Sequence, residues 1–142
     1  MPTRGSRPEL LVDTSVAVAL VVEDHAHHAA TFGALNGRRL GLAGHAAFET
    51  FSVLTRLPSP ARRAPAVAAQ IVAANFPASR HLSAKGAETL LRRLVDLEVS
   101  GGSVYDALVG ATASEHGMTL GTRDRRALDT YRALGVDVEI LR

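Results

Sequence analysis

Cysteine is absent from the 142-residue chain, which excludes disulfides, thiolate nucleophiles and cysteine-ligated metals and fits a reducing compartment. Tryptophan is absent too, and there are only four Phe and two Tyr. The core must therefore be built from aliphatic and small side chains, with helices packed closely. No apolar run is long enough for a transmembrane helix or a secretory leader, because the longest candidate, residues 10–22, is interrupted by Asp13, Thr14 and Ser15. A soluble, cytoplasmic protein with no membrane partner is the expectation. A glycine-rich loop followed by Lys and Ser/Thr is also missing, which removes the usual phosphate cradle of nucleotide hydrolases, and neither a repeat nor a low-complexity domain interrupts the chain.

What is present suits one ordinary core. The chain is 46% hydrophobic, long enough for one domain and too short for two independent ones. Sixteen Lys plus Arg against fourteen Asp plus Glu leave a formal net charge of +2. So even a balance names no polyanionic partner unless the cations gather on one face. Residues 1–8, rich in Arg, Gly, Ser and Pro, are expected to be a flexible lead-in, and residues 9–142 a single domain.

Along that domain, short apolar runs alternate with helical patterns. Residues 10–12 read as a first strand, with Ser15 placed to cap a helix that begins near Val16. A second helix over residues 27–35 precedes a short strand at residues 40–43. A helix from His45 to about Leu57 carries Ala47, Phe51 and Leu54 as an apolar stripe, with Glu49 offset from it. Pro58 and Pro60 stop it. Helices follow over residues 66–76 and 83–98, and Gly101 and Gly102 break the chain before a further one at residues 103–116. There Asp106, Gly110 and Ala113 share a side, and the two small residues allow neighbours to approach closely. Strands at residues 118–121 and 136–141 flank a last helix. The alternation predicts an α/β fold with a mostly parallel sheet of four or five strands surrounded by helices.

Four acids stand out. Asp13 and Asp124 follow expected strands, where open α/β sheets leave their crevices, while Glu49 and Asp106 lie on helices beside small or apolar residues. Brought together, their charges must be separated, partly protonated or neutralised by a cation. Hard carboxylate oxygens suit Mg2+ or Mn2+, which can promote hydroxide formation and stabilise charge in phosphodiester hydrolysis.

The segments LLVDTS at 10–15, HAAFE at 45–49, YDALVGATA at 105–113 and LGTRD at 120–124 together resemble the PIN-domain nucleases, especially the VapC-type toxins of bacterial toxin-antitoxin pairs. The resemblance runs over residues 9–141. It implies a PIN-like ribonuclease domain whose metal-binding and catalytic acids are Asp13, Glu49, Asp106 and Asp124. Thr122 then matches a hydroxyl position that orients an acid or water, and Ser15 a first-motif hydroxyl position. The resemblance also implies RNA endonuclease activity on a structured RNA, a cognate VapB-type antitoxin that occludes the site, and a homodimer.

Other residues admit narrower roles. Arg123, Arg125 and Arg126 stand beside Asp124 and could meet RNA phosphates, with Arg38 and Arg39 extending that field. His25, His27 and His28 lack the companions of a zinc site and read as surface histidines. Tyr105 and Tyr131 read as packing residues with wet hydroxyls rather than as a base-stacking platform. An RNA-binding or antitoxin-binding module without catalysis is the non-enzymatic alternative. An aspartate-nucleophile phosphatase would use Asp13, but the second acid such enzymes place two residues later is Ser15 here.

Overall fold

In the computed structural model, residues 9–142 are described; the lead-in expected over residues 1–8 lies outside them. Strand β1 (Leu10–Val12) is buried at every position, as an uninterrupted Leu-Leu-Val run requires in a sheet covered on both faces. It pairs in parallel with β2 (Leu40–Leu42) on one side and with β3 (Leu120–Thr122) on the other, and β4 (Val138–Ile140) extends the sheet beyond β3. The order is β2-β1-β3-β4. Among the described residues the sheet thus has four strands, all parallel, and the chain passes from one side of β1 to the other between β2 and β3. That reversal opens a crevice at the carboxyl ends of β1 and β3.

Among the described residues seven helices surround the sheet: α1 (Thr14–Val21), α2 (His28–Leu35), α3 (His45–Thr55), α4 (Pro65–Asn75), α5 (Ala84–Asp96), α6 (Ser103–Glu115) and α7 (Leu128–Ala133). The core they close over is aliphatic and small, as the scarcity of aromatics dictates, with Leu10, Leu11, Val16, Leu42, Ala46, Ala107, Ala113 and Leu120 among its members. Ser83 caps α5 by accepting from the Gly86 amide at 2.9 Å and donates to Glu115 at 2.6 Å, which ties α5 to α6.

The outer edge of β2 is not left open. Residues 78–80 run along it, with the Ala78 and Arg80 amides donating to the Leu40 and Leu42 carbonyls at 2.9 and 3.1 Å, while the Leu42 amide donates to the Ser79 hydroxyl at 2.9 Å. Gly41 makes this approach feasible, since a Cβ there would lie 2.2 Å from the Ala78 carbonyl oxygen. The strip satisfies the edge without becoming a fifth strand.

Two expectations are corrected by the packing. The buried stripe of α3 is Ala46, Thr50 and Leu54, not Ala47, Phe51 and Leu54, because the small residues take the tight side against the core. Ala47, Phe48 and Phe51 instead line a groove against Val72 and Phe76. Likewise the cap of α1 is Asp13, whose side chain accepts from the Val16 amide, and the helix starts at Thr14. Ser15 lies inside the first turn.

Candidate active site

The first motif places its acid where a strand turns directly into a helix. Asp13 still pairs with the sheet through its amide, which donates to the Gly121 carbonyl at 3.2 Å, and its side chain caps α1. Asp13 is 4% exposed. Its Oδ1 accepts from Ser15 Oγ at 2.5 Å and the Val16 amide at 3.3 Å, and its Oδ2 from Thr122 Oγ1 at 2.5 Å and Tyr131 OH at 2.8 Å. Burial pushes the Asp13 pKa up, and the hydrogen bonds from Ser15, Thr122, Tyr131 and Val16 oppose that rise. Four donors on one carboxyl group match its ionised form, which alone offers an acceptor site to each.

Around Asp13 opens a cleft of about 270 Å³ whose lining includes Glu49, Asp106 and Asp124. Glu49, on the outer side of α3, accepts from the Thr14 hydroxyl. Asp106 sits in the first turn of α6. Asp124 accepts from the Arg126 amide at 3.0 Å and so caps a 3-10 turn at Arg125–Ala127. Partial burial, followed by the negative charges of Asp124, Asp13 and Glu49, holds the Asp106 pKa up at about 6, with Arg126 pulling weakly the other way. The cleft therefore repels its own charge.

Comparison with known proteins bears on what such a cleft is. Residues 10–133 match the PIN domain. The chain belongs to the PIN-domain family. Among curated relatives, ribonuclease VapC27 of Mycobacterium tuberculosis is 48% identical over 134 residues, covering 94% of this chain and 98% of that protein. Ribonuclease VapC40 of the same species is 47% identical over 133 residues, covering 91% and 96%. Among solved structures, the sarcin-ricin loop cleaving toxin VapC20 of M. tuberculosis shares the fold with a TM-score of 0.65 at 24% identity, over 84% of this chain and 93% of that one. VapBC2 from Rickettsia felis, solved bound to a promoter DNA fragment, has a TM-score of 0.66 at 14% identity, over 94% and 99%.

In this PIN domain the four acids named from the sequence face one cleft, and the two hydroxyls serve the most buried of them. Ser15 Oγ donates to Asp13 while accepting from the Arg123 amide at 2.9 Å; Thr122 Oγ1 donates to Asp13 while accepting from the Asp124 amide at 3.0 Å. The β1 and β3 ends are thereby fastened through side chains.

The arginines divide. Arg126, 95% exposed, pairs with Asp124 at 3.5 Å, and Arg125 is exposed beside it. Arg123 turns towards α2, with its guanidinium 3.3 Å from the Thr31 hydroxyl. Arg38 and Arg39 are drawn away from the acids. They precede β2, at the opposite end of the parallel strands, where Arg38 binds both oxygens of Glu139 at 2.8 and 3.0 Å and Arg39 binds Glu9 at 2.6 Å. Among the described residues no three His, Asp or Glu side chains close into a ready-made metal cage, the 25–28 histidines included.

Three cleft residues escaped the sequence reading. Thr14 steadies Glu49. Arg56, at the end of α3, is exposed and lines the cleft as a cation among acids. Tyr131, expected to keep a wet hydroxyl, is 1% exposed and spends that hydroxyl on Asp13. Burial and the nearby carboxylates push its pKa far above the usual phenol range, so it remains a donor.

Proposed function

We propose that this PIN domain is a VapC-type toxin endoribonuclease that hydrolyses phosphodiester bonds of a structured RNA in the cytoplasm. It would work as a homodimer and be held inactive by a cognate VapB-type antitoxin. The observation that carries the reading is the convergence of Asp13, Glu49, Asp106 and Asp124 on one cleft, in a chain 48% identical over nearly its whole length to a protein named as a ribonuclease.

The donor set fits Mg2+ or Mn2+. It consists of carboxylate and hydroxyl oxygens, with no cysteine in the chain, and Asp106 is held at a raised pKa by partial burial and then by like charges, which a divalent cation would offset. The lack of a ready-made cage suits an ion that keeps several waters and takes one or two carboxylates directly. Asp13, Asp106 and Asp124 are the ligands of choice, with Glu49 on the outer rim. When bound, such an ion supplies an acidified water and neutralises phosphate charge. The protein's own part is orientation. Ser15 and Thr122 fix Asp13, Thr14 holds Glu49, and Arg56 is placed to meet an RNA phosphate. Arg125 and Arg126 extend that cationic rim, whereas Arg38 and Arg39 act at the far end of the sheet.

Two other readings weaken on the same geometry. A nucleophilic Asp13 lacks the second acid two residues on, because Ser15 stands there and donates its proton to Asp13 itself. A binding module gains nothing from four acids facing a polyanion without a cation.

The test is cleavage of a pool of cellular RNAs by antitoxin-free protein, with Mg2+ or Mn2+ supplied or chelated, and with Asp13→Asn and Asp106→Asn in parallel. Metal-dependent cuts that leave 5′-phosphate and 3′-hydroxyl ends, reduced more than about 100-fold in both folded variants, are expected; losses of outer partners alone cost about 10- to 100-fold. Equal cutting by the variants would sink the assignment of these acids.

A further inference from the structure

Asp13 has no acceptor position to spare. A carboxylate offers about four lone-pair sites, and Ser15, Val16, Thr122 and Tyr131 each take one. Three of these donors are tied from behind. The Val16 amide belongs to the first turn of α1. Ser15 Oγ and Thr122 Oγ1 each accept a backbone amide, from Arg123 and Asp124, which directs their single protons towards Asp13. The Tyr131 hydroxyl has no second partner among the described residues, and of the two donors to Oδ2 it is Tyr131, not Thr122, that lines the cleft. Its ring is nevertheless held in place. Gly110 faces it so closely that a Cβ at that position would lie 3.1 Å from Tyr131 Cδ1.

We propose that Tyr131 is a positioning residue whose hydroxyl occupies the cleft-side lone pair of Asp13 Oδ2 in the unloaded protein and gives it up when a divalent cation binds. Tyr131 thereby sets the affinity of Asp13 for the cation. The inference rests on the reading of the cleft as a divalent-metal site. Both consequences of losing the hydroxyl act in one direction: the lone pair is vacant, and the carboxylate, with one donor fewer, is a stronger base and a better ligand.

The experiment uses the full, antitoxin-free chain. Mn2+ affinity of wild type and Tyr131→Phe is measured by calorimetry, and melting is followed with and without Mn2+. The Phe variant is expected to bind Mn2+ about tenfold more tightly, the scale of one hydrogen bond to a charged group, while melting lower than wild type when metal-free. A packing role alone predicts the opposite, a looser site with unchanged or weaker binding, and either of those results overturns the exchange. A second measurement leaves Tyr131 intact. In Tyr105→Phe protein Tyr131 is the sole tyrosine and there is no tryptophan, so its near-UV band should shift as Mg2+ saturates the site and the hydroxyl leaves the carboxylate. Saturation by calorimetry without a band shift overturns the exchange and leaves the metal site standing. No binding of either ion by wild type overturns the metal site itself, and the exchange with it.

Discussion

Asp106→Asn should make the metal-free protein more stable at neutral pH, although it removes an acid from the candidate active site. The carboxyl of Asp106 is held at about 6 in the folded chain, against 3.8 as the ordinary value, by partial burial and by the charges of Asp124, Asp13 and Glu49. Between those two values the folded protein keeps a proton that the unfolded chain has released, so the stability contributed by this group is lost as pH rises through about 6. The full shift corresponds to about 3 kcal/mol. Because the carboxyl is only partly buried at an open cleft, solvent screening reduces this to about 1–2 kcal/mol. Asparagine has nearly the same shape and no charge, and so escapes the loss. The assay is urea unfolding of both proteins in chelator at pH 4 and pH 7.5. The variant's advantage should be small at the lower pH and reach about 1–2 kcal/mol at the higher, or about 2–4 °C in melting temperature per kcal/mol. Mg2+ should then stabilise wild type more than the variant, since it removes the repulsion that the variant lacks. A variant less stable than wild type at pH 7.5, or a difference that ignores pH, would refute the electrostatic account of the cleft.

Further outcomes follow from particular contacts. Thr50 is fully buried, and its hydroxyl has no partner among the described residues; Thr50→Val should stabilise by about 1 kcal/mol in urea unfolding, and a destabilised variant would mean that the hydroxyl is satisfied in solution. Arg38→Ala breaks the two-pronged contact with Glu139 and should cost about 1–2 kcal/mol of stability; RNA cleavage per folded molecule should not change, and a large fall would return Arg38 to the substrate surface. Gly41→Ala drives a methyl group towards the Ala78 carbonyl at 2.2 Å and should cost about 3 kcal/mol, with peeling of residues 78–80 visible as faster amide exchange at Ala78 and Arg80.

Much of the fold was legible because β1 announces itself. An apolar run that ends in a carboxylate and passes into a second apolar run is a buried strand, a turn and a helix, and Asp13 then marks the carboxyl edge of the sheet. The expectation that Arg38 and Arg39 extend the field beside Asp124 missed what a parallel sheet already dictates. Residues before a strand sit at the end opposite to residues that follow one, so these two arginines belong far from Asp13. The side of α3 that faces the core was harder to read, because its two stripes share Leu54 and only the volume available decides between Ala46 with Thr50 and Ala47 with Phe51. Tyr131 left no local trace at all. Its bond to Asp13 joins residues 118 positions apart, and what permits it is the missing side chain of Gly110 on a third element.

The hydroxyls of Ser15 and Thr122 have a consequence for observing the protein at work. Each receives a backbone amide, from Arg123 or Asp124, and passes a proton to the same carboxylate. Polarisation runs along such a chain of hydrogen bonds. A change in the charge seen by Asp13 should therefore move the nitrogen-15 resonances of residues 123 and 124 together, even though neither amide touches Asp13. Two neighbouring peaks then act as a built-in gauge of site occupancy, readable without labelling the cleft or cutting any RNA.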